Sequence, residues 1–281
     1  MSSAQRTKLI LHLSDLRVRD TTRVDERADA IISALTAKSE PQKRFVFIAV
    51  TGDIKDQTAN PAEAYQKAAS FLRRLGSSLL RASDQARVLI VPGNHDWCKD
   101  SDFLYYNRFV QEWYGQRPIA HCLKSMDHDE KAPVAYLIDH REDDVIFLLM
   151  NSYWKNTQAK DRLVSGEVCE SQRRAFDIQL ESVFRNLGER PPMLALMHQH
   201  LIPTHDYPPN ERKLIFSQDC PATVEWLSKH QTVLAFHGPP PGYALLRTDE
   251  ILTPQAERRM GTELIVLGSG ACGGGEGSPA A

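Results

Sequence analysis

The chain has little that would tie it to an oxidising compartment, a bilayer or a polyanion. Its five cysteines (Cys98, Cys122, Cys169, Cys220, Cys272) are odd in number, scattered and without a Cys-x-x-Cys pair. That pattern excludes a disulfide framework and a thiolate zinc site, and it fits a reduced, cytoplasmic protein. The longest apolar runs have about six residues, against the ~18 that a bilayer span requires. The polar start, Met1 to Lys8, leads directly into an apolar segment with no signal-peptide pattern. Neither sign of charge dominates: 34 Lys and Arg against 36 Asp and Glu give a net charge of −2, which argues against general attraction to nucleic acid or acidic membrane. Internal repeats are absent as well.

What remains is ordinary globular material, 42% hydrophobic and 25% charged over 281 residues, enough for one large domain with a sizeable core. We expect that domain to span residues 1–267. Residues 268–281 hold six of the fifteen glycines and read as a tail or linker, with a further C-terminal domain expected beyond it.

The most informative stretch runs from Phe45 to Asp56. Six apolar residues, mostly β-branched or aromatic, read as a strand buried on both faces, and the run ends in Gly52-Asp53-Ile54-Lys55-Asp56. Other apolar runs end in similar groups: Leu9 to Leu13 in Asp15, Val88 to Val91 in Gly93-Asn94-His95-Asp96, and Met193 to Met197 in His198. Oxygen and imidazole donors from four strand ends would meet at one rim, where open α/β sheets place their ligands.

Helical spacing between these strands predicts βαβ units. Val24 to Ala37 carries an apolar stripe, and Asn60-Pro61-Ala62-Glu63 offers an N-cap, a proline at N1 and a glutamate at N3 for a helix reaching about Arg81. A helix between Ser101 and Tyr114 is rich in aromatics. With Trp97 it would supply either core or a wall for a nucleobase, core being the commoner role. Residues 116–131 read as a loop. Val134 to Ile138 and Val145 to Met150 read as a hairpin with a solvated turn. Ser171 is the expected cap of a helix to about Leu187, and Asp219-Cys220-Pro221 opens another to about Lys229. Strands are expected at Val233 to Phe236, Tyr243 to Arg247 and Glu263 to Leu267.

Together, Asp15, Gly52-Asp53-Ile54-Lys55-Asp56, Gly93-Asn94-His95-Asp96 and Met197-His198-Gln199-His200 resemble the motif set of the calcineurin-like metallophosphoesterases. That resemblance covers nearly the whole chain. It implies an α/β fold, a two-sheet β-sandwich flanked by helices, and a site for two divalent transition-metal ions such as Mn, Fe, Zn or Ni. Carried over residue by residue, it makes Asp53 the bridge, Asp15 a ligand of the first ion, and Asn94 and His198 ligands of the second. His95 would face the phosphate and assist the leaving group, with Asp56 orienting its imidazole.

Departures from the family pattern are equally specific. The first motif, Asp-x-His, here reads Asp15-Leu16-Arg17, and the last, Gly-His-x-His, reads Gly238-Pro239-Pro240-Pro241. Arginine and proline offer no lone pair to a metal, so Arg17, Pro239 and Pro241 remove one ligand of the first ion and one expected from each ion at the last motif. One ion is therefore expected rather than two. Arg17 either points outward or sets its guanidinium against Asp15 and Asp53 as a fixed positive charge that also meets the substrate. His12 reads as a core histidine, His200 as a neighbour of the site, and Cys98 as packing. His205 and Asp206 are alternative ligands if their loop folds inward.

The resemblance implies a divergent hydrolase for phosphodiesters or nucleotides. The depleted ligand set leaves open a catalytically inactive descendant that binds a phosphorylated small molecule or a partner, and, more weakly, a structural scaffold.

Overall fold

A computed structural model describes residues 9–38, 45–82, 84–123, 134–153, 166–185, 189–201, 217, 219–238, 242–247 and 263–268. Ten strands and five α-helices lie among them. The first three strands, β1 (Ile10–Leu13), β2 (Phe47–Thr51) and β3 (Val88–Val91), form a parallel sheet in sequential order. Each is followed by, or follows, a crossover helix: α1 (Val24–Lys38) and α2 (Pro61–Leu79) are the connections that parallel pairing demands. Asn60 caps α2 as its sequence predicts, its Oδ1 accepting from Ala62 N–H at 3.0 Å and from Glu63 N–H at 3.5 Å. The aromatic helix is α3 (Leu104–Tyr114).

The second sheet has seven strands. They are β4 (Ala120–Leu123), β5 (Ala135–His140), β6 (Val145–Leu149), β7 (Met193–Leu196), β8 (Thr232–His237), β9 (Gly242–Arg247) and β10 (Glu263–Gly268), in the order β4-β5-β6-β7-β8-β10-β9. β6, β7, β8 and β10 run parallel, whereas β4, β5 and β9 pair antiparallel at the margins. The expected two-sheet α/β architecture is thus present.

Alternation along β6 shows how the layers are built. Val145, Phe147 and Leu149 join the core shared with the small sheet, while Ile146, Leu148 and Met150 face a second core with α4 (Glu170–Phe184) and α5 (Cys220–Lys229). Both faces are covered, which is why the strand reads as an uninterrupted apolar run. Phe47 meets Phe147 edge to face across the two sheets, with ring centroids 4.7 Å apart.

Three expectations change. Residues 120–123 form β4 rather than loop, because Ala120-His121-Cys122-Leu123 is a half-exposed edge strand without an alternating pattern. The turn after β5 is less solvated than its charge suggests: Asp139 and His140 are buried, and residues Arg141 to Asp144 reach solvent. Ser171 does not cap α4. Cys169 holds the cap position at φ +55°, and Asp219 of the α5 entry accepts from the Val168 and Cys169 N–H groups at 3.1 and 3.0 Å.

The parallel strands place their C-terminal ends along one rim. β1 delivers Asp15, β2 Asp53, β3 Asn94 and His95, and β7 His198. The chains leaving β1 and β2 remain paired beyond the sheet, with Arg17 N–H donating to Asp53 O and Val18 N–H to Ile54 O, both at 2.9 Å. That pairing aligns Asp15, Arg17 and Asp53.

Candidate metal and phosphate centre

Asp15, Arg17 and Asp53 adopt φ of +52°, +45° and +50°, a left-handed conformation that costs a non-glycine residue roughly 1–3 kcal/mol and concentrates at functional sites. Two glycines make the close approach possible. A Cβ on Gly93 would lie 2.1 Å from Asp53 Oδ1 and 2.3 Å from Asp53 N, and one on Gly52 would lie 2.3 Å from His198 Nδ1.

Asp15 and Asp53 are each 1% exposed. Asp53 Oδ1 accepts from His95 N–H at 3.0 Å, and Asp15 Oδ2 accepts from the Ser14 hydroxyl at 2.7 Å. Between the carboxylates lies Arg17. Its Nη2 donates to Asp15 Oδ1 at 2.9 Å and sits 3.5 Å from Asp53 Oδ2, while Nε also donates to Asp15 Oδ1 at 3.2 Å. The fork thus falls on one oxygen of Asp15 and reaches Asp53 with one nitrogen, not with two matched pairs. Its side chain keeps 41% of its surface exposed.

On the other side of Asp53, His198 Nδ1 lies 2.8 Å from the Thr51 carbonyl. A carbonyl only accepts, so Nδ1 carries the proton and the neutral ring turns its Nε2 lone pair toward Asn94 Oδ1 at 3.3 Å and Asp53 Oδ1 at 3.6 Å. Three acceptor atoms facing one another need a positive charge among them. A proton on His198 supplies it in part: burial opposes the imidazolium, but the Asp53 and Asp15 carboxylates outweigh burial and raise its pKa. The same donor set, imidazole with carboxylate and amide oxygens, fits a divalent cation.

The chain matches the calcineurin-like phosphoesterase model over residues 8–268. It belongs to that family. Among curated proteins none matches the sequence. Solved structures similar to it include a phosphopantetheinyl hydrolase from Mycobacterium tuberculosis, 14% identical over 94% of this chain and 89% of that one with a TM-score of 0.45. Another is the protein TT1561 of Thermus thermophilus, 14% identical over 95% and 91% with a TM-score of 0.47.

Within this phosphoesterase the geometry brings Asp15, Arg17, Asp53, Asn94, His95 and His198 to one rim, and it leaves Asp56 outside. Asp56 Oδ1 accepts from the Thr58 N–H at 3.0 Å and hydroxyl at 2.8 Å, and Oδ2 pairs with Arg19 Nε at 3.0 Å. Burial pushes its pKa up, but these partners outweigh burial and hold it at about 2. The expected orientation of His95 by Asp56 is therefore not met. Among the described residues the buried His95 Nδ1 has no hydrogen-bond partner, and Nε2 stands 3.7 Å from Asp53 Oδ2.

A carboxylate that the motif contains but that received no role does hold the site. Asp96 is fully buried and accepts from Gly93 N–H at 2.8 Å, Ile54 N–H at 3.2 Å, Lys55 N–H at 3.2 Å and the Tyr65 hydroxyl at 2.9 Å. Burial raises its pKa, as does Asp53. Four donors and no acceptor around it favour the anion all the same.

His12 is half-buried in β1 and its polar edge is satisfied, with Nε2 2.9 Å from Thr51 Oγ1 and its ring edge-on to Phe236. His237 faces His200 with ring centroids 3.9 Å apart and sets Nδ1 2.7 Å from the Gly238 carbonyl. Pro239, Pro241, His205 and Asp206 lie outside the described residues, as does the tail from 269 onward. Elsewhere, His140, Glu142 and Asp143 bring ligand-type atoms within 4.8 Å of one another, yet Arg87 already pairs with both carboxylates at 3.0 and 2.6 Å. No helix among the described residues is long and apolar enough to cross a membrane.

Proposed function

We propose that this phosphoesterase is a hydrolase of phosphodiester or nucleotide substrates that works with one divalent cation, held by Asp53, Asn94 and His198, and with Arg17 in place of a second. The observation that carries this reading is the Arg17 guanidinium between Asp15 and Asp53, where the family pattern expects a metal ligand. A bound divalent ion supplies Lewis-acid polarisation of a phosphoryl oxygen and favours attack by water. Arg17 offsets one of the two negative charges of Asp15 and Asp53 and, with two fifths of its side chain exposed, offers remaining N–H donors to a phosphoryl oxygen. His95 delivers a proton to the leaving oxygen as water adds to phosphorus and the ester P–O bond breaks, and the water's proton passes to solvent. Four described cysteines are free thiols, which supports a reducing compartment such as the cytoplasm.

The test is hydrolysis of bis(4-nitrophenyl) phosphate with Mn²⁺ by the native protein, His95→Ala and Asp53→Asn, alongside metal analysis. We expect one ion per chain, and a fall of at least ~10²-fold for each variant. Equal rates in all three would rule the reading out.

One observation favours a second reading. Among the described residues no hydrogen-bond partner holds His95 Nδ1, so the rim is less prepared for proton delivery than for holding an anion. In that reading the protein binds a phosphorylated small molecule or nucleotide without turning it over, and native protein would bind such ligands yet show no metal-stimulated hydrolysis.

A further inference from the structure

The segments that supply Asp53 and His95 continue into a cleft of roughly 640 Å³ that the phosphoesterase chemistry leaves unused. One wall follows Asp53 and includes Lys55 and Thr58; the other follows His95 and includes Trp97, Cys98, Lys99 and Tyr105. Its volume suits a small organic ligand.

Lys55 is the unusual member. Its side chain is 2% exposed, yet no carboxylate among the described residues forms an ion pair with it. Its Nζ reaches the Asp56 carbonyl at 3.5 Å and the Cys98 thiol. Asp96 is close enough to act on it electrostatically, but the Asp96 oxygens are already taken by four other donors. A lysine head has three N–H donors, and burying it with one long hydrogen bond and a weak thiol acceptor is costly. An acceptor entering the cleft would complete it.

The aromatic wall is fixed in place. Trp97 Nε1 donates to Asp102 Oδ1 at 2.9 Å, and the turn that carries Asp102 is closed by Cys98 N–H to Asp102 O at 2.9 Å and Asp102 N–H to Cys98 O at 2.7 Å. Asp102 itself sits at φ +46°. Most aromatics of α3 are spent in the core, Tyr106, Phe109, Trp113 and Tyr114 all being buried, but Trp97 and Tyr105 stay half-buried and line the cleft. A half-buried indole pinned by a hydrogen bond at a cleft wall offers a stacking surface.

We propose that this cleft is the subsite that selects the substrate of the neighbouring phosphoesterase centre, and that it takes a nucleotide moiety, its base against Trp97 and Tyr105 and an anionic oxygen on Lys55. The assignment rests on the phosphoesterase reading for its link to chemistry, though not for binding itself. It makes the preferred substrate a phosphodiester with a nucleotide on one side.

Calorimetric titration tests it with AMP, ribose 5-phosphate and adenosine as probes, on the native protein, Asp53→Asn, Lys55→Met and Trp97→Leu. AMP is expected to bind the native and Asp53→Asn proteins and to quench tryptophan fluorescence in both. Lys55→Met should weaken AMP at least ~10-fold and leave adenosine within about twofold, because a charge-assisted hydrogen bond is lost and the stem is kept. Trp97→Leu should weaken AMP and adenosine together, by at least ~5-fold, and abolish the quench. Should Lys55→Met fail to fold, Trp97→Leu and the comparison of AMP with ribose 5-phosphate still decide. Equal affinity for AMP and ribose 5-phosphate, or AMP affinity unchanged in Trp97→Leu, overturns the proposal. Nucleotide binding that survives where no hydrolysis is found would fail the phosphoesterase reading alone, and hydrolysis of the aryl diester without AMP binding would fail the subsite alone.

Discussion

If Arg17 stands where a cation would, replacing it by methionine should both destabilise the protein and open a place for a second ion. Asp15 and Asp53 are each 1% exposed and share Arg17 Nη2 at 2.9 and 3.5 Å. Removing one partner of a fully buried pair costs about 3–5 kcal/mol, because the remaining charge stays buried. Arg17 is 41% exposed, so solvent already screens it, and about 1–2 kcal/mol is the appropriate expectation. For a chain of this size that is a fall in Tm of roughly 2–6 °C. Methionine keeps a Cβ and an unbranched stem at φ +45°, so the backbone strain is unchanged and the effect reports the charge. Mn²⁺ should reverse the loss in the variant: at about 100 times its Kd a ligand stabilises by about 2.7 kcal/mol. The assay is thermal unfolding of both proteins with and without Mn²⁺, paired with metal analysis, expecting one ion in the native protein and two in Arg17→Met. A variant as stable as the native protein, with the same metal content and the same response to Mn²⁺, would refute the argument.

Three further outcomes follow from the same geometry. Burial lowers the His12 pKa from its ordinary 6.5 to about 4, so between those values the unfolded chain holds a proton that the folded one does not. Stability is then full above pH 6.5 and falls as the pH drops toward 4, by on the order of 3 kcal/mol, and His12→Gln should flatten that part of the urea-unfolding profile. Asp96→Asn turns two donors of its own toward groups that are already donors, and denaturant unfolding should show a loss of about 2–4 kcal/mol, against a smaller one for Asp56→Asn. Gly93→Ala forces a Cβ to 2.1 Å from Asp53 Oδ1 and 2.3 Å from Asp53 N; backbone cannot swing aside, so metal affinity should drop at least ~10-fold and stability by about 1–3 kcal/mol.

Three of the strands that build the site, β2, β3 and β7, were legible because burial on both faces leaves no alternation to confuse, and each apolar run ends near a glycine or a polar group. Phe47–Thr51 and Val88–Val91 fall where the residues place them. β4 was not legible, since a four-residue edge strand containing His121 and Cys122 has neither hydrophobic period nor turn signals of its own. Arg17 was half-legible: the sequence shows that arginine replaces a ligand, but whether its guanidinium turns inward depends on the positive φ at residue 17 and on the pairing of two loops. Asp56 misled for a related reason. Three residues after Asp53 on a strand exit, it looks close to His95, but Thr58 and Arg19 lie nearer to its oxygens than any imidazole does.

Asp96 explains how a centre missing several expected ligands keeps its shape. Its two oxygens tie the turn that begins at Gly93 to the turn after Asp53, binding the N–H groups of Gly93, Ile54 and Lys55 and the hydroxyl of Tyr65 from α2. No metal is needed for any of these bonds, so the spacing of Asp53, Asn94 and His95 is set by protein alone. The same clamp fixes the backbone of Lys55, which means that the phosphate rim and the aromatic cleft are held by a single buried carboxylate. Loss of Asp96 is therefore expected to loosen rim and cleft together. If Arg17 stands in for a cation as proposed, the exchange leaves this scaffold in place, because the charge at the rim and the Asp96 bonds beneath it are supplied by different residues.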